Sequence, residues 1–147
     1  MSLLYADSSA LVRAYFADEP DHDTLRAILL EGEEPVITSE IARLELASAL
    51  RAASADRRFR NWSEMSQRID RDLASGGRIG AIDLRPATIF PVAHRLILEH
   101  RLRTLDAIHL AVFAEEAPAV AAGDEIAFVT RDKDQASAAR SLGFAVR

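Results

Sequence analysis

The sequence predicts an α/β fold, a mostly parallel sheet with helices on both faces. Two observations carry this. Short apolar runs of strand length alternate with stretches whose apolar residues recur at helical spacing. The runs are separated by helix-length segments rather than tight turns, and parallel strands require such crossovers. The 147 residues contain no internal repeat, low-complexity segment or composition break, so a single domain over residues 1–147 is expected. A chain of this length buries roughly 70% of the surface that its unfolded form exposes.

The first strand is the apolar run at Leu3–Ala6, which changes at Asp7 into a helical pattern from Ser9 to Phe16 that stops near Pro20. A second helix, Asp23 to Leu30, ends at Gly32. Pro35-Val36-Ile37-Thr38 is β-rich and proline-bounded and makes the second strand, with Ser39 as N-cap of a long helix to Ala55. A polar, arginine-rich connection, Asp56 to Asn61, leads to a helix from Trp62 to Ala74 that Gly76-Gly77 ends. Ile79–Leu84 is a third strand, weakened by Gly80. Pro86 opens a helix to His100, with Pro91 leaving its start open. Thr104 caps a very apolar helix, Leu105–Ala117, and a linker follows from Pro118 to Asp124. Ile126–Val129 is the fourth strand, Lys133–Leu142 the last helix, and Phe144–Val146, after Gly143, a fifth strand.

Composition narrows the function. The chain has no cysteine, which removes disulfides and thiolate metal sites. No apolar run approaches the ~18 residues needed to span a bilayer, and the N-terminus lacks a basic segment leading into an apolar one. A cytoplasmic protein is expected. The net charge of -5 argues against binding nucleic acid through bulk positive charge. A nucleic-acid enzyme whose metal ions meet the phosphate stays open.

Four acidic positions are candidates for chemistry. Asp7 stands at the carboxyl end of the first strand, where α/β sheets place ligands, and is equally suited to capping the next helix. Asp106 lies on the apolar helix and shares a face with His109, Leu110 and Phe113. A buried carboxylate needs a partner, and the helix dipole returns only about 0.3–1 kcal/mol. The partner is either a metal cation or an arginine such as Arg103. Glu45 projects, at ~100° per residue, to the edge of the stripe Ala42, Leu46, Ala49, Leu50 and Ala53, whereas Glu40 projects to water. Asp132 follows the fourth strand as Asp7 follows the first, with Thr130 beside it. It too could be only an N-cap, and Asp134 lies a helical arc away. Carboxylates about 4–5 Å apart repel by roughly 3–4 kcal/mol at an effective dielectric near 20, so a cluster calls for a counter-charge. Oxygen-only ligands favour Mg²⁺ or Mn²⁺, which suits phosphodiester hydrolysis.

Asp7-Ser8-Ser9-Ala10-Leu11-Val12, the Glu45 helix, Leu105-Asp106-Ala107-Ile108-His109-Leu110-Ala111 and Phe128-Val129-Thr130-Arg131-Asp132 resemble, in order and spacing, the PIN-domain ribonucleases of the VapC toxin type. The resemblance spans essentially the whole chain, and the Asp-Ala-Ile-His-Leu-Ala string is its most specific part. It implies a three-layer α/β/α sandwich with a central five-stranded parallel sheet, strands one and four adjacent where strand order reverses. It implies a metal-dependent endoribonuclease in which Asp7, Glu45, Asp106 and Asp132 surround Mg²⁺ or Mn²⁺ and Thr130 orients a carboxylate or a water. Ser9 and Asp134 are supporting residues. The implied partners are RNA, a cognate VapB-type antitoxin whose tail occludes the acidic pocket, and a second copy in a homodimer, with contacts expected around Trp62. Some relatives carry asparagine at the position of Asp132 and an acid further on, which leaves the roles of Asp132 and Asp134 to be divided.

Other features read more plainly. Arg57, Arg58, Arg60, Arg68 and Arg71 either steer RNA or an acidic partner or form a solvated basic face. Phe59 and Trp62 are interface anchors or ordinary helix packing. His109 reads as a packed or hydrogen-bonded residue rather than a general base. An aspartyl-phosphate phosphatase would want a second acid where the chain has Ser9, and an Asp-x-Ser-x-Ser adhesion site would want a hydroxyl at Leu11. A catalytically idle PIN-like RNA- or partner-binding domain remains the alternative.

Overall fold

A computed structural model describes all 147 residues. The elements run β1 (Leu3–Ala6), α1 (Ser8–Tyr15), α2 (His22–Leu29), β2 (Val36–Ser39), α3 (Ile41–Ala55), α4 (Trp62–Leu73), β3 (Ile79–Ile82), α5 (Pro86–Glu99), α6 (Thr104–Ala121), β4 (Ile126–Val129), α7 (Lys133–Ser141) and β5 (Ala145–Val146). All strand pairs are parallel, in the order β3-β2-β1-β4-β5. The chain builds outward from β1 in one direction and then restarts beside it with β4. That reversal is the topological switch point of an open α/β sheet, where the crevice at the carboxyl ends opens.

Side-chain alternation in β1 explains the three layers. Leu4 and Ala6 point to one face, into a core with Leu11, Leu25, Leu46, Leu50 and Leu73 from α1 to α4. Leu3 and Tyr5 point to the other, into a core with Ile89, Leu96, Leu110, Phe113 and Ala138 from α5, α6 and α7. Each full burial of a Leu- or Phe-sized side chain contributes about 1.5–3 kcal/mol, so the central strand is held from both sides. Tyr5, Phe113 and Phe128 form an aromatic cluster with ring centroids 5.2–5.7 Å apart.

Several element boundaries differ from expectation. Helix α6 runs through Pro118 to Ala121 instead of stopping at Ala117. Pro118 lies on the exposed side, where the carbonyl it leaves unpaired can meet water, while Ala117 and Ala121 stay buried. Helix α5 likewise runs unbroken from Pro86 through Pro91. Ser39 is the last residue of β2 rather than an N-cap; Glu40 takes the cap position without a side-chain bond to the helix, its carboxylate accepting instead from Leu84 N–H at 2.6 Å. Thr104 is the first helical residue of α6, and Arg103 precedes it as cap. The third strand ends at Ile82, and its Gly80 pairs with Ile37 in register. The turn into β5 needs Gly143, whose φ of +86° is open to glycine. Its N–H donates to the Arg140 carbonyl at 2.9 Å and Phe144 N–H to that of Ala139 at 3.0 Å, which closes the end of α7. No helix is long and apolar enough to cross a membrane.

Candidate active site

Asp7 directly follows β1 and caps α1 through its side chain, which is the capping reading of this residue. It is 1% exposed. Oδ1 accepts from Ala10 N–H at 3.0 Å and from the Ser9 hydroxyl at 2.8 Å; Oδ2 accepts from the Thr130 hydroxyl at 2.7 Å. Burial pushes its carboxyl above the ordinary carboxylate range, although the nearby His109 and then the Ala10, Thr130 and Ser9 hydrogen bonds resist the shift. Thr130 reaches Asp7 because β4 pairs with β1, with Ala6 opposite Val129. Its hydroxyl also accepts from Asp132 N–H at 3.0 Å, and Arg131 N–H donates to Ser9 Oγ at 3.0 Å. The loops after β1 and β4 are thereby laced together.

Glu45 lies half-buried on α3, at the edge of its core stripe, and Glu40 is exposed. Its Oε2 accepts from the Ser8 hydroxyl at 2.8 Å, and its Oε1 lies 2.5 Å from His109 Nε2. Burial works against the Glu45 charge, but the His109 and Ser8 hydrogen bonds outweigh it and hold its carboxyl below the ordinary range. His109 is fully buried, and its Nδ1 stands 2.7 Å from the Tyr5 hydroxyl. It is the hydrogen-bonded helix residue that the sequence suggested.

Asp106, in the first turn of α6, is half-buried rather than enclosed. Burial raises its carboxyl, and the negative charge of Asp132 raises it further. Arg103 is its partner: Nε lies 3.3 Å from Asp106, and Nη2 lies 4.0 Å from Asp132. Asp132 caps α7 through Gln135 N–H at 2.8 Å. Asp134, one of the expected supporting residues, is exposed and lies outside the cavity described next.

A groove of about 940 Å³ opens beside them at the carboxyl end of β1 and β4, and buried Asp7 is not among the residues that line it. Ser8, Ser9, Glu45, Asp106 and Asp132 line it, with Arg13 and Arg103 beside them and Val12, Ile41, Leu44 and Leu105 along its apolar wall. In kind, the donors are the all-oxygen set that a hard divalent cation takes. The crowding of charge at Asp106 and Asp132 and the raised Asp7 carboxyl are what such a cation would relieve. The structure uses its own counter-charges, however: Arg103 sits on Asp106, and no three His, Asp or Glu side chains are gathered closely enough to hold one ion. The Arg103 side chain is 85% exposed and free to leave, so the residues fit the ion in chemistry without forming a ready-made shell.

A family model described as the PIN domain matches residues 4–141. The chain belongs to the PIN-domain family. Solved structures agree in fold. The crystal structure of Mycobacterium tuberculosis VapC20, a sarcin-ricin loop cleaving toxin, superposes with a TM-score of 0.64 at 18% identity, covering 92% of this chain and 94% of that one. A toxin-antitoxin complex from Klebsiella pneumoniae superposes with a TM-score of 0.58 at 20% identity, covering 91% and 89%. No curated protein sequence matches the chain. For a PIN domain, the five-stranded parallel sheet and its helices on both faces are the architecture that the sequence resemblance implied.

Three participants in this PIN-domain site were not singled out from sequence. Tyr5 holds His109, Ser8 holds Glu45, and buried Gln135 donates to the Asp106 carbonyl at 3.0 Å. Gln135 stands three residues after the cap Asp132, the spacing at which a first-turn side chain turns back toward its own N-terminus. That was the available signal.

Proposed function

We propose that this PIN-domain protein is a metal-dependent endoribonuclease that acts as the toxin of a toxin–antitoxin pair. The observation that supports the reading is that Glu45, Asp106 and Asp132, from three separate segments, line one groove at the sheet's switch point, with Asp7 buried beside it and bonded to the lining Ser9. Asp7, Asp106 and Asp132, with Glu45, would hold Mg²⁺ or Mn²⁺. Such an ion supplies an activated water and charge stabilisation on the leaving oxygen of a phosphodiester. Ser9 and Thr130 hold Asp7 in one orientation, and the Thr130–Asp132 bond ties the two sides of the site together. Arg13 and Arg103 put local positive charge in the groove of a chain whose net charge is -5, which suits an RNA backbone approaching there.

The similarity to a toxin-antitoxin complex supports a VapB-type antitoxin as partner. A second cavity, about 420 Å³ between α1, α2 and α4, has Tyr15, Phe59 and Met65 on its floor and Arg26, Arg68 and Arg71 at its rim. That combination suits an amphipathic, acidic antitoxin segment. Phe59 itself packs edge-on against Phe16 at 5.3 Å, while Trp62 and Leu44 remain exposed and available to a partner or a second copy in a homodimer. Within the basic stretch, Arg58 is taken up by Asp18 at 2.6 Å and Glu19 at 3.0 Å, which leaves it little for RNA. The cytoplasm, where its RNA substrate is, is the setting this reading requires.

The test is cleavage of RNA by the purified protein with and without Mn²⁺ or Mg²⁺, against Asp7→Asn. Metal-dependent cleavage that Asp7→Asn abolishes is expected; equal cleavage by the two proteins overturns the assignment. The pairing of Asp106 with Arg103 and of Glu45 with His109 favours one second reading, an idle domain that retains RNA without cutting it. RNA retention with no cleavage at saturating Mn²⁺ would decide for it.

A further inference from the structure

We propose that Arg131 is a positioning residue: its guanidinium braces the three-residue loop between β4 and α7 and so sets where Thr130 and Asp132 stand relative to Asp7. That Asp132 is held there for a metal ion rests on the nuclease reading; the brace itself consists of contacts made without one.

The loop divides the work among its residues. Thr130, Arg131 and Asp132 alone connect β4 to α7. Asp132 keeps an extended backbone, with φ of -87° and ψ of 122°. Successive side chains of an extended chain leave on opposite sides, so Thr130 and Asp132 share one side and Arg131 takes the other. Thr130 donates to Asp7 and Asp132 lines the groove, whereas Arg131 does not line it. The Arg131 side chain is 21% exposed and runs back over the protein. Its Nη1 donates to the Thr130 carbonyl at 2.9 Å and to the Arg147 main-chain oxygen at 3.3 Å, and its Nε donates to Asp21 Oδ2 at 3.0 Å. One rigid fork thus ties the loop to the end of β5 and to the turn between α1 and α2. The Arg131 N–H, on Ser9 Oγ, adds a tie to α1.

Asp21 is spent on this contact. It holds the N-cap position of α2, where an aspartate ordinarily accepts from the first N–H groups of the helix, yet it makes no such bond. Its backbone is left-handed, with φ of +60°, a conformation that a Cβ disfavours. The carboxylate goes to Arg131 instead. An ion pair whose acid is 55% exposed adds little to global stability, so what this pair supplies is the direction of the loop. Groups that orient a metal-binding carboxylate from behind change metal affinity by about 10–100-fold when removed. Arg131 acts on Asp132 through one peptide bond and belongs at the lower end of that range.

The experiment begins with metal-free protein and amide hydrogen exchange read by NMR. Arg131→Ala should speed exchange of the Asp132 N–H, which rests on Thr130 Oγ1, several-fold, while the Tyr5 amide in the middle of β1 keeps its rate. An unchanged Asp132 rate overturns the proposal, and so does equal acceleration at both amides, which would make Arg131 a general stabiliser. Calorimetry with Mn²⁺ should then show a Kd about 10-fold weaker in Arg131→Ala. Arg131→Lys, which keeps the charge but not the fork, should lose less. Asp21→Asn should weaken Mn²⁺ on its own and add nothing in the Arg131→Ala background, since the two side chains act as a unit; additive losses overturn the pairing. With RNA, kcat should fall and KM hold, because Arg131 lies outside the groove. Wild-type Mn²⁺ affinity in Arg131→Ala, despite faster exchange, overturns the role at the site. A wild-type protein that binds no Mn²⁺ or cuts no RNA, with Asp132 exchange still accelerated by Arg131→Ala, removes the nuclease reading and leaves the brace standing.

Discussion

Replacing Asp7 with asparagine sets the stability of the protein against its proposed metal site. The substitution keeps the size of the side chain and its value as an N-cap, since asparagine caps as well as aspartate. It removes a charge from a group that is 1% exposed. The carboxylate accepts from Ser9, Ala10 and Thr130, yet burial still raises its carboxyl, so the native environment disfavours the ion. The new amide needs an acceptor, and the Thr130 hydroxyl can provide one by turning its proton toward Gln135 Oε1, 3.2 Å away. Relief of a functional-site burden of this kind stabilises by about 1 kcal/mol, or about 2–4 °C in Tm for a chain of this size. The pH dependence has a defined sign. Because the folded carboxyl lies above its unfolded value, its contribution is fully present below the ordinary carboxylate range and is lost as pH rises through the folded value. Asp7→Asn lacks that loss. Saturating Mn²⁺ reverses the order, because an ion at about 100 times its Kd adds roughly 2.7 kcal/mol to a native state that can bind it. Calorimetric Tm at neutral pH, with and without Mn²⁺, reads both effects. A metal-free wild type more stable than Asp7→Asn would refute the claim that the buried charge is a burden, and an unchanged order in Mn²⁺ would refute the metal site.

Thr130→Val removes the hydroxyl that donates to Asp7 and accepts from Asp132 N–H, and should lower urea-unfolding stability by about 1.5–3 kcal/mol; an unchanged midpoint contradicts it. Glu45→Gln should flatten the acid limb of the Tm–pH curve, because the Glu45 carboxyl lies below its ordinary range and its stabilisation is present above that range and lost as pH falls through the folded value. Arg103→Gln should tighten Mn²⁺ binding a few-fold by removing a competing cation from Asp106 and Asp132, with the gain shrinking as salt screens the pair; calorimetry at two ionic strengths checks it. Phe113→Ala opens the aromatic cluster under Tyr5 and should cost about 3–5 kcal/mol by chemical unfolding.

The sheet and its helices were legible in sequence because each strand is a short apolar run bounded by a turn or cap, and helical periodicity is strong between them. Boundaries failed where a local rule met a tertiary one. Pro118 reads as a stop, but its place on the outer face of α6 lets the helix continue. Ser39 reads as a cap, but β2 needs it in register opposite Ile82. For the site, spacing along one helix was enough to prefer Glu45 to Glu40, and symmetry of strand ends was enough to place Asp132 and Thr130 after β4 as Asp7 stands after β1. What spacing could not convey was the set of partners drawn from other elements. Arg103 was named as one possible partner for Asp106, but its reach to Asp132 follows only from the packing of α6 beside α7. Tyr5 and His109, 104 residues apart, meet only because β1 lies under α6.

The lacing of Asp7 to Thr130 spans 123 residues, which has a bearing on how the protein is made. A ribosome synthesises roughly 5–20 residues per second, so the acid precedes its hydroxyl partner by many seconds. Until β4 inserts, β1 has a bare edge: the Leu3 and Asp7 amides, which later donate to Glu125 and Val129, have no acceptor. A nascent chain truncated before Ile126 would therefore carry all of α1 and α3 but no finished pocket. The acidic groove first exists only once β4 and the loop to Asp132 have been made and have docked beside β1.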